Sequence, residues 1–250
     1  MTAIIFDTEL TDKVDGEIIE AAWIELGAEL DLAGERNLIP RLPESVTPFV
    51  ERYRPSKPIS FGAMAVHNIL PSELEGCVPS CAFDLPECEY LIGHSIDFDW
   101  AAAGSPERVK RICTHAMSQW VWPNATGYSQ SALIYMLEGA TPETREMLSG
   151  AHGAACDVRN NLVLLRHILA QRPQIATWSH LWEFSEECRI PRTCPMKKHE
   201  GVLLEDLDDG FIQWCLNQYW LDPYFRKGLE RVQSGRYACT PEEIDDDFPF

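Results

Sequence analysis

Short apolar runs that end in acidic or breaker residues open this chain, and few architectures accommodate them. AIIFD runs from Ala3 into Asp7, EIIEAAWIEL follows at once, and TPFVERYRP is a third run before Pro55 and Pro58. Each has the length and side-chain pattern of a strand. Further on, EYLIGH reads as another strand and DFDWAAAG after it as a helix. Residues 153–171 carry apolar side chains at helical spacing and stop before Pro173. Strands first, then strand–helix alternation, predict an α/β domain over residues 1–175. RPQIATWSH marks the join to a small helix-rich module, residues 176–237, followed by an acidic flexible tail, residues 238–250. Residues 27–46, with glycines and two prolines, read as a long insertion or hairpin extension.

Charge narrows the function classes. The 250 residues carry 21 basic and 39 acidic side chains, a formal charge of −18. The deficit argues against a generic electrostatic binder of nucleic acid, which needs a basic face. It leaves room for a nuclease, because metal-holding carboxylates and an acidic tail both lower the net charge. No stretch approaches the roughly 18 apolar residues of a membrane-spanning helix. The opening MTAIIFDTEL lacks a leader pattern, and nine cysteines form no regular framework. A reducing cytoplasm is therefore the expected location.

The acids themselves suggest chemistry. Asp7 and Glu9 stand two apart at the end of the first strand, so their side chains point the same way. Asp99 follows a strand at the start of a helix, and His152 precedes Asp157 by five residues at the start of another. Separated carboxylates plus one histidine are what hydrolysis of a phosphodiester with two divalent ions requires. Hard Mg²⁺ or Mn²⁺ takes oxygen ligands. Two ions roughly 3.5–4 Å apart polarise the phosphate and activate water, and a histidine is suited to accept the water's proton.

FDTELTD, GHSIDFD and HGAACD occur in that order. They resemble the three motifs of the DEDDh 3′→5′ exonuclease superfamily. KPISFGAMAVHNI and ICTHAMSQWVWPNATGYSQSAL, between the motifs, extend the resemblance to its exonuclease X group. It covers residues 1–175 well and 176–235 loosely. It implies an RNase H-like mixed sheet flanked by helices, two divalent ions, and stepwise release of nucleoside monophosphates from a 3′ end. Matched residue by residue, Asp7, Glu9, Asp99 and Asp157 would be metal ligands and His152 the general base. Asp97 is the rival ligand in the second motif; the spacing in relatives from histidine through phenylalanine to aspartate favours Asp99. Thr8, Leu10 and His67 would touch the substrate, with a loop-capping role the alternative for His67. Two departures stand out. Leu10-Thr11-Asp12 replaces the Thr-Thr-Gly usual after the glutamate, and Ser95 replaces an asparagine.

In the C-terminal module a basic knot, Arg189, Arg192, Lys197 and Lys198, lies near Trp214, Tyr219, Trp220 and Tyr224. Such a set can contact phosphates and stack on bases, or it can be the solvated face of a helical mini-core. The last nine residues, EEIDDDFPF, resemble the tail of bacterial single-stranded-DNA-binding proteins. On that resemblance Asp245, Asp246 and Asp247 would face a basic rim on a replication or repair protein. Phe248, Pro249 and Phe250 would enter its apolar pocket, or the tail would fold onto the chain's own basic knot. The expected function is thus a metal-dependent 3′→5′ exonuclease acting on DNA 3′ ends. An exoribonuclease of the same superfamily is the first alternative, and a non-catalytic interaction protein working through the tail is the second.

Overall fold

The structure is a computed structural model that describes residues 2–27, 42 and 46–235. Most of the 27–46 segment and the tail residues Asp245 to Phe250 lie outside the described residues. The described chain forms two compact units that divide between Ser185 and Glu186.

In chain order the first unit holds strands β1 (Ala3–Leu10), β2 (Ile18–Leu26) and β3 (Phe49–Arg54), helix α1 (Phe61–His67), and strands β4 (Val78–Pro79) and β5 (Tyr90–Gly93). Helix α2 (Asp97–Ala102), strand β6 (Lys110–Cys113) and helices α3 (Thr114–Val121), α4 (Gln130–Glu138), α5 (Pro142–Met147) and α6 (Ala154–Gln171) follow. Helix α7 (Trp178–Cys188) crosses the division; α8 (Asp209–Leu216) and α9 (Pro223–Gln233) belong to the second unit.

The six strands form one mixed sheet in the order β4-β3-β2-β1-β5-β6. β1, β2 and β3 are joined antiparallel, whereas β5 runs parallel to both β1 and β6. Helices flank this sheet in an RNase H-like arrangement. β1 is central, and it reads Ala-Ile-Ile-Phe because both of its faces are covered. Its two residues short of full burial are Asp7 and Glu9. Gly93, at the end of β5, allows a close approach: a Cβ there would come within 3.1 Å of the Phe6 carbonyl and 2.5 Å of Ile96.

α6 lies across β1 and β2. Val158, Leu162, Leu165 and Leu169 are buried at helical spacing, and Leu165 and Leu169 are fully enclosed. Each such side chain contributes about 1.5–3 kcal/mol on burial, so the helix that carries Asp157 is firmly seated. Among the described residues no helix is long and apolar enough to cross a membrane.

The second unit has its own small core of Leu204, Leu207, Ile212, Leu221, Phe225 and Leu229, with Cys194 and Cys215 packed among them. Asp208 caps α8 by accepting from the Phe211 amide at 2.9 Å, and Asp222 caps α9 by accepting from Tyr224 and Phe225, both at 2.9 Å. Arg226 closes the other end of α8, donating to the carbonyls of Leu216 and Gln218, each at 2.7 Å. Such capping lets short helices persist in so small a core.

Candidate active site

Strand alternation puts Asp7 and Glu9 on one face of β1. The first turn of α6 brings Asp157 over the same face. One carboxylate oxygen from each of the three lies within 4.8 Å of the other two. Asp99 arrives from the next strand, on α2 just past β5. Its Oδ1 accepts from the Thr8 amide at 2.9 Å and from the Thr8 hydroxyl at 2.7 Å, which ties it to β1 between Asp7 and Glu9. The two aspartates of the second motif differ sharply. Asp99 is buried; Asp97 is half exposed and paired with Arg111 at 2.5 Å.

These carboxylates push one another toward the protonated form. Burial raises Asp7 well above the usual aspartate range, and the charges of Asp99, Asp157, Glu9 and Glu20 add to it. Glu9 is pushed up to about 9, first by burial and then by Asp157, Glu20 and Asp99. Asp99 rises to about 7, because burial outweighs the two bonds from Thr8. Burial also raises Asp157, opposed by His152. Among the described residues none of the four has a lysine or arginine partner within ion-pair distance. An all-oxygen set of crowded, unneutralised carboxylates is the donor chemistry that hard divalent cations satisfy, so the site could bind a metal ion.

His152 is exposed and has a left-handed backbone, φ 67°, on the turn that leads into α6. Ser95, at the turn into α2, is also left-handed, φ 66°. An L-residue other than Asn or Asp strains there by about 1–2 kcal/mol. That strain is the physical reason for the asparagine that the resemblance leads one to expect at this place. Ser95→Asn should therefore stabilise the protein by about 0.5–1 kcal/mol, a rise of roughly 1–4 °C in melting temperature. Calorimetry showing no rise would remove that explanation.

Beside the carboxylates is a cavity of about 290 Å³. It is lined by Thr8, Glu9 and Leu10 from β1, by Val66 and His67 from α1, and by Phe98 from α2. Thr8, Leu10 and His67, which the resemblance singled out for substrate contact, thus share one cavity. His67 also caps a loop: its Nδ1 accepts from the Ile69 amide at 2.9 Å. Burial lowers its pKa, so the ring is neutral, with its proton on Nε2. Asp12 and Lys13 stand at the same cavity and place one charge of each sign there.

Sequence reasoning missed Glu20 and Arg52. Glu20 faces Glu9 directly across β1 and β2, and Arg52 faces Glu20 across β2 and β3. Glu20 Oε2 accepts from Arg52 Nε at 2.8 Å, and Glu20 Oε1 accepts from the Ala154 amide at 3.1 Å. No local motif joins residues 32 and 134 positions apart. The available signal was an acid inside the apolar strand IIEAAWIEL.

In the second unit the basic knot splits. Arg189 is internal, with its guanidinium 5.2 Å from the Tyr224 ring centroid and 3.5 Å from Glu186, and the Tyr224 hydroxyl donates to Glu186 at 2.9 Å. Lys197 and Lys198 are exposed, as are Trp214, Tyr219 and Trp220.

No family model matches the chain, and no curated protein matches it in sequence. Solved structures do match its fold. Exonuclease X in complex with 5′-overhanging duplex DNA aligns over 73% of this chain and 99% of that one, with 23% identity and a TM-score of 0.53. Escherichia coli exonuclease I bound to a dA16 oligonucleotide aligns over 76% of this chain at 14% identity and a TM-score of 0.52. This chain spans only 44% of exonuclease I. The fold found in the structure is thus shared with the group that the three motifs resemble.

Proposed function

We propose that the chain is a metal-dependent 3′→5′ exonuclease that removes nucleoside monophosphates from DNA 3′ ends. The observation that carries this reading is the convergence of Asp7, Glu9 and Asp157, with Asp99 beside them, next to a cavity of about 290 Å³. That volume suits one terminal nucleoside. The fold shared with DNA-bound exonucleases supports DNA as the substrate.

In this reading Asp7, Glu9, Asp99 and Asp157 hold two divalent ions, Mg²⁺ or Mn²⁺. Such ions supply charge stabilisation at the scissile phosphate and make water more acidic. Leu10, Val66 and Phe98 receive the apolar face of the terminal nucleoside, and Thr8 and the neutral His67 ring bound the same space beside it. His152 accepts a proton from the attacking water. The water oxygen bonds to phosphorus, the bond from phosphorus to the preceding 3′ oxygen breaks, and that oxygen takes up a proton. A nucleoside 5′-monophosphate leaves, and the shortened strand keeps a 3′-hydroxyl.

The test is an oligonucleotide ladder. Single-stranded DNA and RNA labelled at the 5′ end are incubated with Mg²⁺ or Mn²⁺, with the wild type beside His152→Ala and Asp7→Ala. A DNA ladder lost in both variants is the expected result. A ladder on RNA alone would make the chain an exoribonuclease. Absence of any ladder would leave the tail-mediated interaction protein as the surviving reading. For the tail, Asp245, Asp246 and Asp247 with Phe248, Pro249 and Phe250 form a docking segment for proteins that bind tails of single-stranded-DNA-binding proteins. Deleting residues 242–250 should abolish that affinity while leaving the ladder intact.

A further inference from the structure

We propose that Glu20 is a positioning residue for the active site, acting as a cap supplied by β2 for the first turn of α6. The inference rests on the exonuclease reading and adds to it a residue that no motif marks.

Glu20 sits in an electrostatic conflict. Directly opposed residues on antiparallel strands have Cβ atoms about 4.5–5.5 Å apart, and like charges there destabilise the pair. Glu9 and Glu20 are such a pair, inside a cluster already crowded with carboxylates. Glu20 is also 5% exposed, and a buried carboxylate is retained only with partners. Both of its oxygens are occupied. Arg52, one strand further along the same face, donates to Oε2 at 2.8 Å and is itself held by Glu73 at 3.0 Å. Oε1 accepts from the Ala154 amide at 3.1 Å. Glu9, Glu20 and Arg52 therefore form a row across three strands, and the middle member turns out of the row to hold a helix.

The helix needs that hold. The residue before α6 is Gly153, which has no side chain to cap the helix. The first amides of a helix lack intrahelical partners, and a carboxylate at this end also meets the favourable end of the helix dipole. Glu20 fills both needs from a neighbouring strand. Gly153 is not crowded by Glu20: a Cβ there would make ordinary contacts, 3.9 Å from Glu20 Oε1 and 3.4 Å from the Gly150 carbonyl, so it is the missing capping side chain that Glu20 makes good. The bond falls between His152, on the left-handed turn, and Asp157, in the first helical turn. One contact thus sets the place of both against Asp7 and Glu9. Reacting groups tolerate little displacement; an error of about 1 Å can cost roughly 100-fold in rate.

The test pairs Glu20→Ala with Glu20→Gln, which retains an oxygen for the Ala154 amide. In the ladder assay at saturating Mn²⁺, Glu20→Ala should lower kcat roughly 10–100-fold with KM within about twofold, and Glu20→Gln should stay within about fivefold of wild type. Glutamine falling as far as alanine, or alanine retaining full kcat, would overturn the assignment. A second readout is independent of catalysis: amide hydrogen exchange over residues 150–158 should quicken in Glu20→Ala while the β1 amides stay protected. Unchanged exchange in that segment overturns the proposal whether or not the wild type cuts DNA. A wild type without nuclease activity but with quickened exchange in the variant would remove the exonuclease reading and leave the cap. If Glu20→Ala does not fold, Arg52→Gln, which frees Oε2, takes its place with a smaller increase in exchange expected over the same residues.

Discussion

Glu9→Gln should raise the melting temperature of the metal-free protein and at the same time lower the proposed nuclease activity on the order of 10³-fold. Burial and three neighbouring acids push Glu9 up to about 9, so near neutral pH the fold without ions must either protonate this group or hold an unfavourable charge. Glutamine has the shape of the protonated acid and no charge to lose. The relief appears as stability, with roughly 2–4 °C of melting temperature for each kcal/mol. The cost falls on chemistry. A site that stabilises phosphate charge through bound ions depends on several kcal/mol from them, so losing a ligand should lower activity on the order of 10³-fold. Mn²⁺ should stabilise the wild type by about 2.7 kcal/mol at 100 times its dissociation constant, and Glu9→Gln much less. Melting curves with a chelator and with Mn²⁺, run beside the ladder assay, measure all three effects. A variant that melts lower than the wild type without metal, or that cuts at a rate near the wild type's, contradicts the site described above.

The metal-free protein should also lose stability as pH rises from about 6.5 to 8.5. For an acid whose folded pKa is raised, the folded state binds more protons than the unfolded chain between the two values. Stability is then complete below the unfolded pKa and is lost as pH climbs through the folded one. For Glu9 that window runs from 4.5 to about 9, and for Asp99 from 3.8 to about 7. Asp7 and Asp157 shift in the same direction. His67, His94 and His115 are lowered mainly by burial, so they work the other way and offset part of the slope until their unfolded imidazoles have lost their protons, about one pH unit above 6.5. Above that the raised carboxylates set the slope, joined in the same direction by the raised thiols of Cys88, Cys156 and Cys215. One proton is worth about 1.4 kcal/mol per pH unit, or roughly 3–5 °C per unit in melting temperature. Saturating Mn²⁺ should flatten the slope, because ligated carboxylates stay ionised. A chelated protein that melts at the same temperature at pH 6.5 and 8.5 would refute the upward shift that burial and crowding impose on these acids.

The parts of the fold written locally were legible in the sequence. AIIFDTEL is a buried central strand because its apolar run is unbroken up to Asp7, and α6 follows from Val158, Leu162, Leu165 and Leus further along at helical spacing, with Pro173 ending it. The acids of the three motifs stood out for the same reason: each lies at the end of a periodic segment. Glu20 did not. Its partners, Arg52 and Ala154, become neighbours only through strand register and the path of α6, and neither leaves a mark within a few residues of it. Arg189 shows the converse. It reads as part of a basic surface, but Glu186 and Tyr224 turn it inward, a contact that depends on how α9 packs within the second unit.

β1 is paired on both edges and covered by α6, and this governs how the site behaves when empty. Local opening in proteins begins at fraying ends and exposed loops and reaches central strands only near global unfolding. Asp7 and Glu9 hang from the segment that opens last, and Asp157 from the helix lying over it. The empty site is therefore a preformed cluster of carboxylates, held toward their protonated forms, whose backbone has nowhere to relax. Binding an ion there would need proton release and side-chain adjustment, on a picosecond-to-nanosecond scale, with no refolding step.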